Sequence, residues 1–116
     1  MEVKIDLSYL ETMSNGDITL MKEMVSIFKE QVPEFVSEMK THLQNKDWKS
    51  LASIAHKAKS TISIIGLTDL ITELKIFEEN VLKSVSSDSY LKFIQNFEST
   101  CNTAVIQLDA IISNRQ

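Results

Sequence analysis

The run Ala55-His56-Lys57-Ala58-Lys59-Ser60-Thr61-Ile62-Ser63-Ile64-Ile65-Gly66 reads as one amphipathic helix, with a histidine on its outer face and a glycine at its end. At about 100° per residue, with His56 at zero, Leu51, Ile54, Ala55, Ala58, Thr61, Ile62 and Ile65 gather between roughly 140° and 260°. These residues form the stripe expected to meet a core, and His56 lies opposite them. On the same wheel Ala52, Ser53, Lys59, Ser60 and Ser63 fall within about 60° of the imidazole, so the ring stands among small side chains with a lysine one turn away. Ile64, about 80° from His56, is the large apolar residue nearest that exposed face.

The flanking punctuation extends the reading. Asn45 to Asp47 form a turn before this helix, which spans Trp48 to Ile65, and Gly66 ends it as a left-handed cap. Thr68 caps the next helix, which runs to about Lys83 with Leu70, Leu74, Phe77 and Val81 inward. If the hairpin centres near Leu67, His56, eleven residues before it, lies level with Glu78, eleven after. A carboxylate reaching one ring nitrogen would fix the tautomer and present the other nitrogen to solvent as a nucleophile. Register alone does not set helix rotation, and Glu79 or Lys75 compete for the same place.

Upstream, Asp6 caps a short helix from Leu7 to Met13 that breaks at Ser14-Asn15-Gly16. Asp17 caps a long helix in which Leu20, Met21, Met24, Ile27, Phe28, Gln31, Phe35, Met39 and Leu43 follow the i, i+3, i+4 rule. Met21, Met24 and Met39 read as core. Pro33 removes one backbone hydrogen bond inside this helix, which predicts a kink near Gln31 to Pro33 and not a domain boundary. Ser84 to Asp88 break the chain again, and Tyr90 to about Ile112 form the last helix with Phe93, Ile94, Phe97, Cys101, Ala104, Leu108 and Ile111 inward. Four long helices with short links predict an all-α fold: an antiparallel up-down-up-down four-helix bundle with a short N-terminal capping helix, in one domain over residues 1–116.

Composition agrees. Two glycines, one proline and 43% hydrophobic residues in a chain of 116 suit helices around a modest core, without room for a deep substrate cavity. A formal charge of -4, with lysines interleaved among acids, argues against a nucleic-acid partner. Met1-Glu2-Val3-Lys4 lacks a signal-peptide apolar region, and no stretch approaches the roughly 20 apolar residues of a membrane span. A cytoplasmic location with no membrane partner is therefore expected. Cys101 is the only cysteine and reads as a buried thiol. His42, near a helix end where a cation is mildly favoured, reads as a structural or surface residue.

His56, Lys59 three residues on, the small Ser60, Gly66 ten residues after the histidine, and Leu74-Lys75-Ile76-Phe77-Glu78 on the next helix together resemble the histidine-containing phosphotransfer (HPt) domain of bacterial multistep phosphorelays. Tyr9-Leu10-Glu11-Thr12-Met13-Ser14-Asn15-Gly16-Asp17, followed by Phe28 and Pro33, is similar to the same family, and the likeness covers nearly the whole chain. It implies a bundle whose exposed histidine accepts a phosphoryl group from the aspartate of one receiver domain and passes it to another in two-component signal transduction. The implied partners are response-regulator receiver domains and a hybrid sensor histidine kinase. Position by position, the resemblance makes His56 the phosphoacceptor, Lys59 the phosphate-neutralising lysine and Glu78 the hydrogen-bonding position that is often Gln or Glu. Ser60 departs from a position that is frequently glycine in the family, and a serine there slightly narrows the cleft.

The residues support that chemistry directly. Phosphoryl transfer needs an in-line nucleophile and charge stabilisation, which an imidazole and the Lys59 ammonium supply. No acidic cluster, glycine-rich phosphate loop or nucleotide motif accompanies His56, so the chain is expected to be a phosphotransfer carrier and not an enzyme, with no cofactor of its own. The magnesium would sit in the receiver's acidic pocket. Docking that pocket requires close backbone approach, for which Ala52, Ser53, Ser60 and Ser63 leave space, with Ile64 as an apolar contact. Lys49 and Lys57 read as solvated charges able to steer an acidic partner. A monomer forming one-to-one transient complexes is expected.

Other classes fit less well. A di-metal bundle enzyme needs Glu three positions before an inward histidine, and neither His42 nor His56 has one. A kinase dimerisation helix pair also presents a histidine, but no ATP-binding segment follows here. The alternative that survives is an HPt-fold interaction scaffold without phosphotransfer activity.

Overall fold

In the computed structural model, which describes residues 3–83 and 88–115, five helices follow one another: α1 (Ser8–Ser14), α2 (Ile18–Gln44), α3 (Trp48–Ile65), α4 (Thr68–Leu82) and α5 (Ser89–Asn114). Local chemistry sets most of their ends. The Asp17 carboxylate accepts the backbone N–H groups of Thr19 and Leu20 at 2.8 and 3.2 Å, and Asp47 accepts that of Ser50 at 3.2 Å. Asp6 accepts the N–H of Ser8 at 2.9 Å, but Leu7 holds the cap position, so α1 begins one residue later than its sequence signal. Thr68 is a correction. It is the first helical residue of α4 and not its cap, because the tight turn at Gly66 hands the cap position to the buried Leu67. Within the expected break from Ser84 to Asp88, Ser84 to Ser87 lie outside the described residues, and Asp88 is the residue before α5. Helix α2 runs through Pro33, which is thus no boundary.

Short turns force successive helices to run in opposite directions. Helix α3 packs against α2 and α4, α5 packs against α2 and more sparsely against α4, and α1 lies across α2 and α3. The result is an up-down-up-down four-helix bundle, 47 Å along its longest dimension, with a short helix over one end. Its core is continuous: Leu10, Met21, Phe28, Met39, Leu51, Ile62, Ile65, Leu74, Ile94, Phe97 and Leu108 are each at most 1% exposed. Burying one such side chain contributes about 1.5–3 kcal/mol. Burial also pushes the Cys101 thiol up to about 12, as suits an inert core thiol.

Two inward stripes differ from their sequence reading. On α2, Leu20 and Ile27 are 38% and 51% exposed, Met24 is half-buried, and Val25, Val32 and Val36 are buried instead. Helix α2 must serve both α3 and α5, so its buried face is wider than one stripe and is turned toward the valines. On α5, Ile112 takes the buried place expected of Ile111. Ion pairs of Lys29 with Asp109 at 2.8 Å and of Lys40 with Glu98 at 3.9 Å link α2 to α5. Buried Thr61 and half-buried Gln31 fix the register of α3 on α2, the hydroxyl donating to the amide oxygen at 2.6 Å.

Candidate functional site

Helix α3 has the span its sequence predicts, and its C-terminus is closed by Gly66 at φ +74°, whose N–H donates to the carbonyls of Ile62 and Ser63 at 3.1 Å. This tight reversal lays α4 antiparallel along α3 and brings Glu78 level with His56. The two side chains meet: His56 Nδ1 lies 3.2 Å from Glu78 Oε1 and 3.1 Å from Oε2. An ionised carboxylate can only accept, so Nδ1 carries the hydrogen, and in the neutral ring Nε2 keeps its lone pair. The imidazole is 71% exposed and its partner carboxylate only 16%. Glu79 and Lys75, the other residues competing for this place, are exposed on α4.

Lys59 joins the same carboxylate. Its Nζ is 2.8 Å from Glu78 Oε1, and its side chain is 23% exposed, the stem lying on the α4 side of α3 with the ammonium at the rim. One carboxylate thus serves two α3 side chains a turn apart. Burial opposes its charge, but hydrogen bonds from Lys59 and His56, together with the charges of both, outweigh that cost and hold the Glu78 carboxyl below its ordinary value of 4.5. Sequence reasoning placed Lys59 near the imidazole and missed this pairing. The available signal was register: a residue one turn beyond His56 on the α4 flank is within reach of whatever stands level with His56.

Around the ring, Ser53, Ser60 and Ser63 are exposed and Ile64 is half-buried, as the wheel predicts. The Ser63 hydroxyl donates to the Lys59 carbonyl at 2.7 Å, which keeps it close to its own helix. Ala52 is a correction: at 3% exposure it is buried, forms part of the floor under α4, and offers no surface to a partner. It lies near His56 in angle, but on the side α4 covers. Lys57 and Lys49 are exposed.

The family model described as "Hpt domain" matches residues 23–113. The chain belongs to the Hpt domain family. Histidine phosphotransfer in phosphorelays is the general role this membership gives it, as a carrier that meets receiver domains and kinases. No curated protein matches the Hpt chain. Among solved structures it is similar to the crystal structure of histidine-containing phosphotransfer protein B from Pseudomonas aeruginosa PAO1, at 18% identity and a TM-score of 0.83 over 95% of each chain, a likeness of fold. Among the described residues of this Hpt chain, no helix is long and apolar enough to cross a membrane.

Proposed function

We propose that His56 is the phosphoacceptor, taking a phosphoryl group on Nε2 from a receiver-domain aspartate and returning it to another receiver. The observation that carries this reading is the commitment of Nδ1 to Glu78, which leaves one nucleophilic nitrogen, on a largely exposed ring. The Nε2 lone pair attacks phosphorus, the P–O bond to the aspartate breaks, and the aspartate departs as a carboxylate. The ring, which retains its Nδ1 proton, becomes positively charged, and Glu78 faces that charge. Lys59 stabilises the negative charge spread over the phosphoryl oxygens, moving from Glu78 toward them as they arrive. The acidic groups and metal of the reaction belong to the receiver, and the open face of Ser53, Ser60, Ser63 and Ile64 admits it. In this reading the chain acts as a monomer, serves a hybrid sensor histidine kinase and its receivers, and works in the cytoplasm.

Incubation with a receiver domain phosphorylated on aspartate tests the assignment. Phosphate should pass to the wild-type chain as an acid-labile, base-stable adduct at His56. An adduct elsewhere would move the phosphoacceptor, and receiver binding with no transfer from any donor would replace the carrier by a scaffold.

A further inference from the structure

Helices α4 and α5 meet through aromatic rings, and beside those rings they leave a groove. Phe77 of α4 stacks on Phe93 of α5 with ring centroids 4.3 Å apart, and it meets Tyr90 edge-on at 5.3 Å. Phe77 and Tyr90 are buried, Phe93 is half-buried, and Ile76 is 53% exposed. All four line a cavity of about 410 Å³. Small-molecule sites commonly measure about 300–1,000 Å³. Walls of this kind hold a flat ring, by stacking or edge contact, better than a branched aliphatic chain.

The polar groups at the rim define what such a ring should carry. Glu73, half-buried, and Lys92, exposed, line the same cavity. Neither makes an ion pair among the described residues. The contacts of Phe77 with Tyr90 and Phe93 set Lys92 level with Phe77, so Glu73 lies about one turn, roughly 6 Å, along the groove from it. Asn80 and Asn96 also line the cavity, and their amide oxygens can accept an indole N–H or a phenol O–H. A carboxylate and an ammonium held a turn apart over an aromatic cavity match a free aromatic amino acid, whose own ammonium and carboxylate flank one carbon. The aromatic side chain of a docked protein is a poorer match, because its neutral backbone amides leave both rim charges unanswered.

We propose that the α4–α5 groove binds a free aromatic amino acid, with its ring against Ile76 and Phe93, its ammonium at Glu73 and its carboxylate at Lys92. Glu73 stands about 140° around α4 from Glu78. The site is therefore separate from the histidine face, and it stands whether or not His56 is the phosphoacceptor.

The test titrates the full chain with L-tryptophan and follows backbone amide shifts by NMR. The amides of α4 and α5 that line the groove should move, with a dissociation constant of about 1 mM or tighter. Tryptophanamide, which lacks the carboxylate, and N-acetyltryptophan, which lacks the ammonium, should each bind on the order of tenfold more weakly. Two surface variants then separate the charges. Lys92→Ala should weaken tryptophan and N-acetyltryptophan and leave tryptophanamide unchanged, whereas Glu73→Gln should weaken tryptophan and tryptophanamide and leave N-acetyltryptophan unchanged. Unmoved groove amides at about 10 mM tryptophan, well above the expected range, would overturn the proposal, as would L-leucine binding equally well. N-acetyltryptophanamide binding as tightly as tryptophan would also overturn it, making the groove a pocket for a partner's side chain.

Discussion

Gly66 and Asp6 share a space with no room for a side chain: a Cβ on Gly66 would lie 1.8 Å from the Asp6 carbonyl oxygen, while the Asp6 N–H donates to the Gly66 carbonyl at 3.0 Å. The glycine that reverses the chain between α3 and α4 also anchors the segment leading into α1. Its φ of +74° is a second reason for glycine. Gly66→Ala should cost about 2 to 4 kcal/mol, combining left-handed strain with displacement of the backbone at Asp6. Urea denaturation measures it, and an unchanged midpoint would mean that the N-terminal segment yields without loss.

His56→Gln should abolish labelling by a phosphorylated receiver and change stability by less than about 0.5 kcal/mol, since the ring is a surface group. Mass spectrometry of the adduct and thermal melting check the two halves separately. Persistent labelling in this variant, lost in His42→Gln, would move the site.

Lys59→Ala should slow transfer by roughly ten- to a thousandfold, on the order of 1.4 to 4 kcal/mol of transition-state stabilisation. Folding should suffer little, because a rim ion pair of this exposure contributes no more than about 1 kcal/mol. Rapid-quench kinetics would count against the role if the rate were unaltered, with Lys57 the next candidate.

Glu78 gives stability a pH dependence of known sign. Its carboxyl titrates below the ordinary 4.5 in the folded chain, so its contribution is complete above that value and is lost as pH falls through the lower folded one. Glu78→Gln should flatten this part of the acid limb. Denaturant midpoints collected from pH 6 down to pH 3 (about the range linkage requires) decide it, and parallel curves for the two proteins would contradict it.

Bulk should harm transfer where polarity does not. Ser60→Leu and Ser63→Trp should block receiver binding, Ser60→Gly should preserve it, and Ile64→Asp should weaken it by about 1 to 3 kcal/mol. Calorimetric titration with a cognate receiver reads all four. Full affinity in both bulky variants would place docking elsewhere.

The sequence made legible whatever depends on helical period and on the glycine turn. Periodicity from Leu51 to Ile65 isolates the buried stripe of α3, and a hairpin centred at Leu67 sets His56 beside Glu78. Less visible was anything that depends on where a neighbouring helix lies around the circumference. Ala52 looked open because the wheel measures angle from His56 and not from α4. Ile27 looked buried because an apolar-rich helix with two neighbours has more candidates than its buried face can hold. The Lys59 to Glu78 pair stayed hidden because direction along a wheel says nothing of the reach of a flexible stem. Thr68 carried a capping signature that the Gly66 turn overrode.

Helix α4 meets α3 more extensively than any other pair of helices meets, and toward α5 it presents Phe77, which stacks on Phe93 with ring centroids 4.3 Å apart and meets Tyr90 edge-on at 5.3 Å. His56, Lys59 and Glu78 all lie on the α3–α4 hairpin. Their mutual geometry is therefore internal to one hairpin, two helices joined by a single turn at Gly66 and Leu67. In hydrogen exchange, amides of α3 and of the α4 face packed on it should outlast those along the α4–α5 seam.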